Sequence, residues 1–168
     1  MTQQFMGRAL LWATALSDCR DCLDLALRLH DVPENTTIPT TEAQSAARHL
    51  VRLAIVYFGQ LYTPGFEDLP SVASNTAAAA QLDELERHAF SSGTELAKFY
   101  ALRDIVLELR HRTIAHADGK AFSVRHDNSS VRALTPMLPT ELYNEFRQSS
   151  DKLLLALLQR LGNGIATS

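Results

Sequence analysis

Cysteine is scarce: the 168-residue chain holds two, Cys19 and Cys22, beside seven glycines, six prolines and one tryptophan. A disulfide framework is therefore excluded, and a chain of this length needs none, because one domain of its size buries enough core to stand without covalent staples. Zinc is not expected either. A C-x-x-C supplies at most half of a tetrahedral site, and no Cys or His pair follows it at the short interval of a zinc finger. No strand pattern precedes the pair, and Cys19 falls on an apolar helical stripe, so the two read as reduced helix cysteines. Long apolar runs are also missing. Charges interrupt each one well short of the roughly 20 residues a bilayer demands. A strong excess of either charge is the third absence, with 16 Lys and Arg against 19 Asp and Glu, a formal charge of -3. That argues against a general nucleic-acid coat or a polybasic membrane binder, and any anionic ligand must meet a local patch. The opening Met-Thr-Gln-Gln-Phe-Met-Gly-Arg lacks a basic segment followed by a clean apolar core, so a cytoplasmic location is expected.

What is present is helical periodicity. Phe5, Ala9, Trp12, Leu16, Cys19, Leu23 and Leu27 recur at spacings of three and four, predicting a first helix over 3–30, with Leu10, Ala13, Leu25 and Leu29 widening its inner face. Thr41 and Gln44 stand at capping-box spacing before a second helix. Its inner row is Ala43, Ala47, Leu50, Ala54, Tyr57 and Leu61, flanked by Val51, Ile55 and Phe58, which predicts a central place in the bundle; His49 and Arg52 fall on its polar side and receive no role. Two prolines and a glycine in 62–70 break that helix. Asn75 or Thr76 is expected to cap a peripheral third helix over 77–90 with Leu82, Leu85 and Ala89 inward. Ser92 and Glu95 restart the chain as a fourth helix, whose inner edge is Leu96, Phe99, Leu102, Val106, Leu109 and Thr113. The segments 121–126 and 131–134 flank Asp127-Asn-Ser-Ser130 as a short hairpin. Thr140 is expected to cap a fifth helix carrying Leu142, Phe146, Ser149, Leu153, Leu157 and Leu161, with Leu154 and Leu158 adjacent, ended by Gly162-Asn163-Gly164. The sum is one all-α domain over 1–168: an antiparallel bundle of four to five helices with a hairpin insertion before the last.

The chemistry concentrates in 102–120, where Arg110, His111, Arg112, His116 and Asp118 crowd into the end of the fourth helix before Gly119. Each residue advances about 100° around a helix, so Arg112 and His116 share a face while Arg110 and His116 lie about 120° apart. The latter pair converges only if the helix tightens or unwinds near Ala115, which the following Ala-Asp-Gly favours. Asp118 can then reach back to the imidazole. Between Arg103 and Arg132 six cations face four anions, so a chain of charge -3 carries a basic local patch. Arg103, Lys120 and Arg125 belong to it and are candidate contacts for an anion. A helix C-terminus also favours a cationic imidazole, which poises His116 for proton exchange near neutral pH.

At these residues the chain resembles the HEPN superfamily, helical bundles whose signature is an Arg, usually a polar follower, and a His after four to six intervening positions. Arg110-His111-Arg-Thr-Ile-Ala-His116 fits with five between, and Ile-Ala-His-Ala-Asp is similar to the Ala-His-Ser-Asp ending of abortive-infection type members. The resemblance implies a metal-independent, cofactor-free endoribonuclease, with two copies of the motif meeting across a homodimer and an antitoxin as a further partner. By that resemblance Arg110 holds phosphate, His116 is the acid or base, His111 shapes the pocket, Asp118 orients His116, and Arg103, Lys120 and Arg125 are candidate RNA contacts. The chemistry is sound: imidazole exchanges protons with ribose and leaving oxygens, and a guanidinium fork stabilises charge growing on phosphate. Arg112 competes with Arg110 for the partnership with His116. Two other readings stand beside it: a non-catalytic module binding RNA, a nucleotide or a partner through the same groove, and a purely structural helical protein in which Arg112 pairs with Glu108.

Overall fold

A computed structural model describes residues 3–31, 39–63, 72–114, 123–127, 130–134 and 137–166. The described residues form helices α1 (Gln3–His30), α2 (Thr40–Gln60), α3 (Val72–Ala89), α4 (Gly93–Ile114) and α5 (Tyr143–Ala166). Between α4 and α5 lie two five-residue strands, β1 (Ser123–Asp127) and β2 (Ser130–Leu134), and a 3-10 turn over Thr140–Leu142 leads into α5. The strands pair antiparallel in the register Ser123 to Leu134 through Asp127 to Ser130. No described helix is long and apolar enough to cross a membrane.

α1 lies between α2 and α5, α2 also packs on α4, and α5 on α3. α1 and α2 thus each have two helical neighbours, and the α1 stripe of Ala9, Trp12, Leu16, Cys19, Leu23 and Ala26 is buried along its length. The α1/α5 seam is antiparallel, since Arg20 lies 3.9 Å from Asp151 while Asp24 pairs with Arg147 four residues earlier on α5. Beneath those pairs Ser150 Oγ donates to the Phe146 carbonyl at 3.0 Å, leaving Cys19 Sγ–H to donate to Ser150 Oγ at 3.4 Å. Burial pushes the Cys19 thiol up to about 12, and Cys19 and Cys22 are both free. Phe58 of α2 meets Phe146 of α5 edge-on at 5.2 Å between centroids. Each such ring or leucine contributes about 1.5–3 kcal/mol by leaving water, the term that selects this packing. Phe90 stacks on Phe99 at 4.3 Å, joining the end of α3 to α4 and closing the bundle.

Several local expectations are corrected. α2 starts at Thr40 with Pro39 as its N-cap and no side-chain cap bond, so the Thr41–Gln44 box does not form; the Pro39 carbonyl instead accepts from the Glu42 and Ala43 amides. Proline is suited to the entry of a helix, where its missing donor costs nothing. The same device recurs at Pro139, which displaces Thr140 as a cap. α3 begins at Val72, several residues before Asn75, and α5 runs past Gly162-Asn163-Gly164 to Ala166. The Ser92 cap does form, with its hydroxyl accepting from the Glu95 amide at 3.1 Å. The Glu95 carboxylate turns instead to Lys152 Nζ at 3.0 Å, tying α4 to α5. Leu10, Leu25 and Leu158 are about half exposed rather than inward. On α1, Leu10 lies about 120° and Leu25 about 180° around from Leu16, outside the stripe.

Candidate functional site

α4 buries Phe99, Leu102, Val106 and Leu109 at spacings of three and four, and that row sets where every charged residue near its end points. Arg112 lies on the outer side and pairs with Glu108 one turn earlier, with both side chains more than half exposed. His111 is exposed as well. Arg110 turns the other way, toward α2. A Cβ built on Gly59 would fall 1.9 Å from Arg110 Cδ and 2.3 Å from its Nε, so the aliphatic stem and the root of the guanidinium lie directly on the α2 backbone. Glycine is what permits that approach: any side chain at 59 would occupy the volume Arg110 fills.

Arg110 Nε is buried with no hydrogen-bond partner among the described residues. Sequence spacing explains why. The residues three and four positions from Arg110 are Val106, Leu107, Thr113 and Ile114, none acidic, whereas Arg112 has Glu108 at the favourable spacing. A buried guanidinium N–H without an acceptor is costly, about 1–3 kcal/mol, and native proteins keep few of them. An incoming phosphate oxygen would satisfy it.

Arg103, one of the expected RNA contacts, is already engaged. Its Nη1 reaches Glu86 Oε2 at 3.2 Å and its Nη2 reaches Asp104 Oδ1 at 3.0 Å. The guanidinium carbon stands 4.4 Å from the Tyr100 ring centroid and 5.8 Å from that of Tyr62. Two carboxylates and two rings occupy the group, which makes it a brace between α3 and α4 instead of a free phosphate ligand. Tyr62 Oη donates to Glu86 Oε1 at 2.6 Å, so Glu86 binds both partners from inside the bundle, 2% exposed. Burial pushes the Glu86 carboxyl above its usual range despite those two donors. Burial and the neighbouring Glu86 carboxylate likewise hold the Tyr62 hydroxyl well above the ordinary phenol value.

This Tyr62–Glu86–Arg103 cluster was missed at the level of sequence, though a signal was there: Glu86 lies four residues after Leu82 and three before Ala89, on the inner row of α3. The rest of the expected site divides. His116, Asp118 and Lys120 lie outside the described residues, as does Ala115, near which Arg110 and His116 were expected to converge. Arg125 stands on β1, directly opposite Arg132 in the strand register. Among the described residues no group of three or more His, Cys, Asp or Glu side chains is arranged to hold a metal ion. Set against models of known families, against curated proteins and against solved structures, the chain matches none.

Proposed function

We propose that the chain is a metal-independent endoribonuclease of the HEPN type, a toxin or phage-defence component that acts on RNA as a homodimer. Arg110 holds the scissile phosphate and His116 moves the protons. The 2′-oxygen attacks the adjacent phosphorus as its proton is removed; the bond to the 5′-oxygen breaks, and that oxygen leaves with a returned proton. The products are a 2′,3′-cyclic phosphate and a 5′-hydroxyl. What supports the reading is the state of Arg110: Arg112 spends its charge on Glu108 and Arg103 on Glu86 and Asp104, while Arg110 keeps a buried Nε unmet. Strong charge-assisted donors held ready for an anion are what phosphoryl chemistry requires.

The test is cleavage of single-stranded and transfer RNA with EDTA present. New 5′-hydroxyl ends are expected from the wild type, none from His116→Ala or Arg110→Ala, and an undiminished yield from Arg112→Gln. A yield that EDTA abolishes, or that His116→Ala retains, refutes the assignment. A second reading, a binding module that cuts nothing, is favoured by the seating of Arg110 against α2, which suits a fixed ligand. It predicts RNA binding with no new 5′-hydroxyl ends.

A further inference from the structure

Among the described residues, two buried side-chain polar atoms lack a hydrogen-bond partner, and both are guanidinium Nε atoms: that of Arg110 on α4 and that of Arg52 on α2. The two helices pack against each other. α2 and α4 run antiparallel, because Tyr62 approaches Arg103 while Gly59, earlier on α2, lies under Arg110, later on α4. Arg52 precedes Gly59 by seven residues, which returns it to within about 20° of the same face of α2, about 10 Å along the axis. It therefore lies on the side of α2 that carries Gly59, in the direction in which α4 runs from Arg110 to its end at Ile114.

Nothing within α2 answers the charge of Arg52. The residues three and four positions away are Arg48, His49, Ile55 and Val56, and the acid of this helix, Glu42, is in its first turn. Arg48, one turn back, adds a like charge, which raises the local positive potential and disfavours the empty state. Two cations with unmet buried donors on one face form a site that lacks its anion. The axial separation is too long for one phosphate group and suits a backbone that carries several.

We propose that Arg52 and Arg110 line an anion-binding seam between α2 and α4 that takes successive phosphates of a single RNA strand. The inference rests on Arg110 as a phosphate ligand and extends that reading to a residue on a second helix. Arg52 is a binding residue here, remote from the reacting atoms, and it sets how the strand lies.

The experiment measures binding of a fluorescent oligouridine whose 2′-hydroxyls are replaced by hydrogen, so that it cannot be cut, across a series of salt concentrations. Wild type, Arg52→Gln, Arg110→Gln and the double variant are compared. Each single change is expected to weaken binding about ten-fold and to lower the slope of log affinity against log salt by about 0.7, with the two effects adding in the double variant. Arg52→Gln binding with wild-type affinity and slope overturns the proposal. So does inorganic phosphate that displaces the strand at concentrations comparable to the strand's own, since a single-phosphate site would behave that way. Arg52→Lys guards against a folding defect in Arg52→Gln: it keeps the cation, removes the Nε donor, and is expected to hold the slope while losing about three-fold in affinity. Unchanged affinity in Arg52→Lys also counts against the seam. Because the strand is inert, a chain that binds it through Arg52 but cuts no RNA preserves this inference and refutes the nuclease.

Discussion

Gly59→Ala perturbs the contact between α2 and Arg110 by the smallest possible step. The added methyl would lie 1.9 Å from Arg110 Cδ, 2.3 Å from Nε and 3.1 Å from Cζ, so one of the two must move. The atoms in the way are the far part of a flexible side chain, and the expected outcome is that Arg110 swings out while α2 stays. Three terms then compete. Alanine in place of glycine favours the helix by about 1 kcal/mol. Returning the arginine stem to water costs about 2 kcal/mol for its three methylenes. Freeing the orphaned Nε to meet water recovers about 1–3 kcal/mol. Gly59→Ala should therefore stay within about 2 kcal/mol of wild type in urea unfolding while losing strand affinity about as much as Arg110→Gln does. A thermodynamic cycle isolates the contact: with Arg110→Ala already in place, Gly59→Ala meets no obstacle and should stabilise by about 1 kcal/mol from helix propensity alone. A wild-type affinity in Gly59→Ala would refute the reasoning, because Arg110 would then not occupy the surface of α2.

Two further outcomes follow from groups away from that seam. Burial raises the Glu86 carboxyl, so between its ordinary value and its raised one the folded chain binds more protons than the unfolded chain, and stability falls as pH rises through that window. Glu86→Gln should abolish that component, so that its stability relative to wild type improves on going from acid to neutral pH; a difference that stays flat across the window in urea melts at successive pH values refutes the assignment. Cys19, buried and with its thiol pushed up to about 12, should resist an aromatic disulfide reagent in the native protein, while the half-exposed Cys22 reacts first. Two thiols titrating at one rate without denaturant would contradict the packing of Cys19 against Ser150.

Periodicity carried most of the architecture and little of its boundaries. The span of α1 and its buried row are legible because a stripe repeated over seven turns averages out local noise, and Phe99, Leu102, Val106 and Leu109 are found for the same reason. Ends are decided by single residues. Pro39 and Pro139 outcompeted Thr41 and Thr140 as helix entries, and α5 carried Gly162 through its last turns, where added side chains would meet open space. In the candidate site, spacing alone distinguished Arg112, which has Glu108 one turn back, from Arg110, which has no acid in reach. It left open which arginine serves His116. The seat of Arg110 on Gly59 depends on the distance between two helices at residues 51 positions apart in sequence, which no local pattern encodes. A glycine within the buried part of α2 was the available hint, since an unbranched backbone there marks close approach. Arg52 looked like an ordinary polar-face residue because nothing in the spacing of α2 marks an Nε that is buried without a partner.

The pairing of α1 with α5 bears on how the molecule is made. Cys19 finds Ser150, and Asp24 finds Arg147, across more than 120 positions of sequence, so the first helix leaves the ribosome long before its final neighbour exists. At about 5–20 residues per second, α1 and α2 spend many seconds as a two-helix hairpin with one greasy flank uncovered. During that interval the nascent chain is a natural client for a chaperone, and closure of the bundle must await emergence of α5 from the exit tunnel.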